Sequence, residues 1–289
     1  MKSYLVSLLF AMSVMPMALP VQATEQIENF KEVYKQKCDF ATGEFFGDDW
    51  CNLGNAAGRA PNVVLVGDSY ANSATGMLDE YVRLSKDKKI IYEQYGRGQC
   101  PATLGYGPDW CSGFAKTVYE RVKKTPSIKT VVLAANWSYY WEEQKQFSAG
   151  GQFYSRTEFE TSLVKTLKAY QALGKKVVVM YQSPGIGDPK VCVQRGFVTK
   201  LLSIASADQC HLSRAQADGR EIYRQLMNPV LARFKLETFD PYTYFCDAKE
   251  CKVKDGDKIF TTTSTHLSGF GGQYLARKAA PELKKLLQF

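Results

Sequence analysis

Histidine is nearly absent from this 289-residue chain, which has only two, and no Cys-x-x-Cys pair occurs among its eight cysteines. Zinc and related centres draw on closely spaced Cys and His ligands, so the sequence offers no metal set. Long apolar runs are missing too, apart from one at the amino end. Nothing after it approaches the ~20 uninterrupted apolar residues that a membrane-spanning helix needs. Basic residues outnumber acidic ones, 37 to 29, for a formal charge of +8, yet they do not cluster. That pattern describes a solvated basic surface tolerant of anionic polymers and argues against nucleic acid as a partner. Ser/Gly/Pro-rich linkers and internal repeats are also lacking, which favours one large domain over two small ones.

What is present begins with residues 1 to 23. Lys2 precedes the apolar run Tyr4 to Leu19, and the segment closes on Val21-Gln22-Ala23. This reads as a secretory signal with a small-residue cleavage site, so the mature chain is expected to start at Thr24 and to span no membrane. All eight cysteines follow it: Cys38, Cys51, Cys100, Cys111, Cys192, Cys210, Cys246 and Cys251. An even count in an exported chain implies disulfides, and proximity suggests sequential pairs: 38 with 51, 100 with 111, 192 with 210, 246 with 251. Residues 24 to 60 are expected to be an N-terminal stapled extension, and 61 to 289 the main domain.

Five short runs rich in Val, Ile, Leu and Tyr recur at 62–66, 89–95, 130–135, 176–182 and 236–240. Between them, 72–84, 112–124, 157–173 and 213–234 carry apolar residues at helical spacing, and a last helix is expected over 268–287, bent or restarted at Pro281. Strands alternating with helices imply an α/β fold, a parallel sheet covered on both faces as a three-layer α/β/α sandwich with disulfide-stapled loops.

In such sheets ligands bind beyond the carboxyl ends of the strands. The first strand ends in Gly67-Asp68-Ser69, the second in Gly96-Arg97-Gly98, and the third in Asn136-Trp137, while His266 follows the fifth across a longer loop. An early strand-end serine with a late histidine is how several α/β serine hydrolases deploy nucleophile and base. The plainer alternative is that Ser69 caps the following helix. Gly98, or Gly96, would let a backbone N–H approach a substrate oxygen, and Asn136 would donate its side-chain amide. Both residue types are also ordinary turn formers. Trp137, Tyr139, Tyr140 and Trp141 form either a wall for sugar rings or core packing. Of the histidines, His211 has the more suggestive spelling, Asp208-Gln209-Cys210-His211. Position along the strand order nevertheless favours His266 as the base.

These residues resemble the SGNH hydrolase superfamily, and more closely the SGNH domains that accompany membrane O-acyltransferases of envelope polysaccharides. The matching blocks are Gly67-Asp68-Ser69; Gln99-Cys100-Pro101 with Cys111; Val131 to Ser138; Asp240-Pro241 with Cys246 and Cys251; and His266-Leu267-Ser268 with Gly271. The resemblance implies Ser69 as nucleophile, His266 as base, and the Ser69 amide, Gly98 and Asn136 as oxyanion donors. It implies no cofactor. The activity would be that of a periplasmic or secreted serine esterase or O-acyltransferase handling acetyl-like groups on envelope carbohydrate, with a membrane acyltransferase as partner. One departure stands out: the family's aspartate three residues before the histidine is Thr263 here. Orientation of the imidazole then falls to a backbone carbonyl, or to an acid such as Asp240, Asp255 or Asp257, or the site works as a Ser-His dyad. Two other outcomes fit the same pattern: a degenerate, glycan-binding or scaffold subunit, and a lipase or thioesterase.

Overall fold

The computed structural model of the chain describes residues 49–54, 60–85, 91–142, 147–149, 152–185, 189–192, 210–262 and 265–287. Its principal elements are β1 (Asp49–Gly54), β2 (Val63–Gly67), α1 (Ser69–Leu84), β3 (Ile91–Gly96), α2 (Asp109–Lys124), β4 (Thr130–Ala134) and α3 (Trp137–Trp141). After these come α4 (Arg156–Ala172), β5 (Lys176–Met180), α5 (Tyr223–Arg233), β6 (Glu237–Phe239) and α6 (Gly269–Leu287). No helix among the described residues is long and apolar enough to cross a membrane.

The five apolar runs become β2 to β6, all parallel, in the order β3-β2-β4-β5-β6. Continuous burial of β2 and β4 explains why their sequences carry no polar alternation: helices cover both faces. Successive strand residues point to opposite sides, so Val63 and Leu65 join a core with α1 and α6, whereas Val64 and Val66 join one with α2, α4 and α5. The three-layer sandwich follows from that division. Gly272 permits the first layer to close, since a Cβ there would lie 2.8 Å from the Met77 amide nitrogen of α1. The chain leaves β2 toward β3 on one side and returns to β4 on the other, so the order reverses between β2 and β4. A crevice at their carboxyl ends is the expected ligand position.

The sheet has a sixth strand that the apolar pattern did not announce. β1 pairs antiparallel with β3, Asp49 opposite Gly96 and Gly54 opposite Ile91, within the stretch read as an N-terminal extension. The helix expected over 213–234 divides into Arg214–Asp218 and α5, the first capped by Ser213 in a reciprocal box with Gln216. α6 runs through Pro281 without interruption. Disulfides join Cys100 to Cys111, Cys192 to Cys210 and Cys246 to Cys251, as expected from their spacing. The remaining pairing, Cys38 with Cys51, rests on Cys38, which lies outside the described residues.

Candidate active site

Two good capping residues stand in tandem at the start of α1, and the backbone selects the first. Asp68 is the N-cap, its Oδ1 accepting the Tyr70 amide at 2.8 Å, and Ser69 is the first helical residue. The Ser69 hydroxyl is therefore not the cap. It meets His266 instead, with Oγ 2.7 Å from Nε2, across 197 positions of sequence.

Gly67 sets this turn. A Cβ at Gly67 would lie 1.7 Å from the carbonyl oxygen of Ala134, so only glycine lets the end of β2 press against the end of β4. That contact brings the Asp68 carboxylate, 1% exposed, to the β4 loop. There Oδ2 accepts the Asn136 amide and the Tyr140 hydroxyl, each at 2.9 Å. Burial raises the Asp68 pKa to about 6 against the opposing pull of these bonds. Asp68, quoted in the sequence only as part of a tripeptide, thus joins the serine turn to the asparagine loop.

His266 is fastened by the segment around it. Its carbonyl accepts the Thr262 amide at 2.9 Å, and Ser268 donates its hydroxyl to the Ile259 carbonyl at 2.6 Å while accepting the Gly271 amide at 3.0 Å. Gly271 lies so close to Phe260 that a Cβ would come within 2.1 Å of its carbonyl oxygen. The spelling His266-Leu267-Ser268-x-x-Gly271 therefore encodes a loop pinned to the start of α6. Burial lowers the imidazole pKa to about 4, so His266 is neutral at neutral pH and can accept a proton. Tyr70 packs on it, ring centroids 4.4 Å apart, and shares a hydrogen bond with the Thr265 hydroxyl.

Asn136 caps α3. Its Oδ1 receives the Tyr139 amide at 3.3 Å, the Ser138 hydroxyl at 3.0 Å and Gln182 Nε2 at 3.3 Å. Donors on Oδ1 fix which end of the amide is oxygen and leave Nδ2 as the group able to donate. Gln182, buried and unremarked in the sequence, also accepts the Ser138 amide at 2.7 Å. Gly96 is held in the sheet opposite Gly67, whereas Gly98 occupies the turn Arg97–Cys100 beyond it. Arg97 donates its amide to the Gly67 carbonyl at 3.1 Å, which ties that turn to the strand end bearing Ser69. Of the two glycines, Gly98 is the one in a loop.

The other candidate residues occupy different settings. Asp240 forms a paired contact with Arg224, 2.5 and 2.9 Å, and accepts the Tyr242 amide at 3.0 Å. Asp255 pairs with Lys252 at 3.0 Å on an exposed hairpin, and Asp257 stands in the turn of that hairpin. Asp240 and Asp255 are committed to cations, which argues against either as the orienter of His266. His211 is half exposed, just before the short ribbon that pairs Leu212–Ser213 with Glu250–Cys251, and faces Glu250 at 3.2 Å, while the histidine in contact with Ser69 is His266; Asp208 lies outside the described residues. Three of the four aromatics are core rather than wall: Trp137, Tyr140 and Trp141 are buried around Phe159, Trp137 Nε1 donates to the Met180 carbonyl at 2.7 Å, and Tyr139 packs half-buried against Tyr140.

With this geometry established, the family model described as the SGNH domain (fused to AT3 domains) matches residues 37–281. The chain belongs to that family. Its fold matches the periplasmic domain of a Salmonella ser. Paratyphi A lipopolysaccharide acetyltransferase, with a TM-score of 0.57 at 15% identity, covering 78% of this chain and 84% of that one. A putative acylhydrolase from Bacteroides fragilis aligns with a TM-score of 0.46 at 14% identity, over 81% and 94% of the two chains. A carbohydrate acetylesterase family member from Sinorhizobium meliloti aligns at 0.41 and 12%, over 78% and 99%. At such identities the first likeness speaks for the fold alone. No curated protein matched the sequence. The SGNH domain described here thus has the fold of its family and, at the carboxyl edge of its sheet, a serine in hydrogen-bond contact with a neutral histidine.

Proposed function

We propose that this SGNH domain is an exported serine esterase or O-acyltransferase acting on acetyl-like groups of envelope carbohydrate. The observation that carries the reading is the 2.7 Å contact between Ser69 Oγ and His266 Nε2. Ser69 Oγ attacks the ester carbonyl carbon while Nε2 takes its proton. The tetrahedral oxyanion is received by the Ser69 amide at the head of α1, the Gly98 amide and Asn136 Nδ2. Collapse expels the alcohol, which takes the proton back from His266 and leaves an acyl-serine. Water or a sugar hydroxyl then attacks that ester with the imidazole again as base, and Ser69 Oγ leaves, taking the proton back from His266. No step calls for a cofactor.

The family's association with AT3 domains supports a membrane acyltransferase as partner, and the signal-like residues 1–23 support a periplasmic location. A fluorophosphonate probe tests the nucleophile. Stoichiometric labelling should be abolished by Ser69→Ala and survive Ser73→Ala, whose hydroxyl is buried and bonded to the Tyr70 carbonyl at 3.0 Å. An unlabelled protein that binds envelope glycan would establish a noncatalytic subunit instead, and preference for long-chain over acetyl esters a lipase or thioesterase.

A further inference from the structure

The imidazole of His266 has a second neighbour besides Ser69, and it comes from the next residue of the same helix turn. Tyr70 lays its ring against the histidine, centroids 4.4 Å apart and planes inclined by 40°. Its hydroxyl bonds that of Thr265, the residue immediately before His266. The side chain is 7% exposed, and its backbone amide is fixed by the Asp68 cap. One residue therefore spans the two halves of the site: its backbone belongs to the nucleophile's turn and its side chain to the base's loop.

We infer that Tyr70 is a positioning residue for His266, holding the imidazole by its ring face and the loop by its hydroxyl. The inference rests on the reading of Ser69 and His266 as a catalytic pair. Three positions before His266 the sequence has Thr263, where an aspartate would otherwise orient the ring by charge. Tyr70 supplies a contact of a different kind. A flat aromatic surface restricts rotation of the imidazole and keeps water from one face, and an uncharged partner leaves the base neutral rather than favouring its protonated form. The Thr265 bond adds a strut one residue away, so that Nε2 stays within reach of Ser69 Oγ. The charges felt at Tyr70 include those of Asp68 and Glu221, and at His266 burial lowers the titration.

The test separates ring from hydroxyl. Tyr70→Phe keeps the ring and loses the strut; Thr265→Val loses the strut from the other end; Tyr70→Leu removes the ring. Turnover of p-nitrophenyl acetate should fall about tenfold in Tyr70→Phe and in Thr265→Val and no further in the double variant, because both remove one interaction. In Tyr70→Leu kcat should fall about 100-fold with KM little changed, as expected when a reacting group is misplaced. The His266 titration followed by NMR should move up toward 6.5 in Tyr70→Leu and stay low in Tyr70→Phe. Additive losses in the double variant, or a Tyr70→Leu protein that keeps wild-type turnover and a low His266 titration, would overturn the assignment. The NMR readout needs no catalysis, so a protein that never reacts with fluorophosphonate would refute the esterase reading while still reporting whether Tyr70 holds the histidine.

Discussion

Lowering the pH should leave this site working well below the point at which a solvated imidazole would be protonated. Burial brings the His266 pKa from 6.5 to about 4. At pH 5 a group titrating at about 4 is ~90% neutral, whereas one titrating at 6.5 is ~3% neutral, so the two cases differ about 30-fold in kcat/KM. Stability should not obscure the comparison. His266 is depressed on folding, so its contribution, at most about 3 kcal/mol, is present above pH 6.5 and lost as pH falls through 4. Asp68 is shifted the other way, from 3.8 to about 6, so its contribution of about 3 kcal/mol is present below 3.8 and lost as pH rises through 6. Between pH 4 and 6 the two slopes oppose each other. The measurement is kcat/KM for p-nitrophenyl acetate across this range, with the His266 ring carbon followed by NMR and His211→Gln used to assign the two signals. An acid limb near 4 that coincides with the His266 titration is expected. A ring that titrates near 6.5 would refute the argument that burial holds it neutral.

Two further outcomes follow from the same geometry. Gly67→Ala must displace a Cβ from 1.7 Å of the Ala134 carbonyl, so it should cost at least about 1–3 kcal/mol in thermal unfolding and about 100-fold in kcat/KM; an alanine variant with normal activity would show that the turn is not set by this contact. His211→Ala, at an exposed ribbon facing Glu250, should retain turnover within about twofold and stability within about 0.5 kcal/mol, as surface substitutions usually do. His266→Ala assayed beside it should be inactive, and reversed results would mean that the base had been misassigned.

The parallel core was legible because a strand buried on both faces needs apolar residues at every position, and β2, β4 and β5 carry nothing else between their ends. β1 was not, because Asp49-Trp-Cys-Asn-Leu-Gly54 has no apolar run; an antiparallel edge strand takes its pairing from β3, which no local pattern announces. A restart at Pro281 does not occur: local preference lets proline end a helix, but α6 continues through it and buries Ala279 and Leu283 on either side in the core shared with α1. At the head of α1, Asp68 and Ser69 are equally good caps by propensity, and the contact of Gly67 with β4 carried the aspartate to the Asn136 loop.

The order of residues was enough to fix an alternating α/β chain, a serine on the turn after its first parallel strand and a histidine before its last helix, because periodicity and strand-end chemistry are local properties. Which acids would pair with cations, that Trp137, Tyr140 and Trp141 after β4 would turn inward, and that Tyr70 would lie against His266 were settled only by packing. The contacts of Ser69 and Tyr70 with the His266 loop join positions nearly 200 residues apart, and no local spacing encodes a distance that exists only once the sheet has brought its strand ends together.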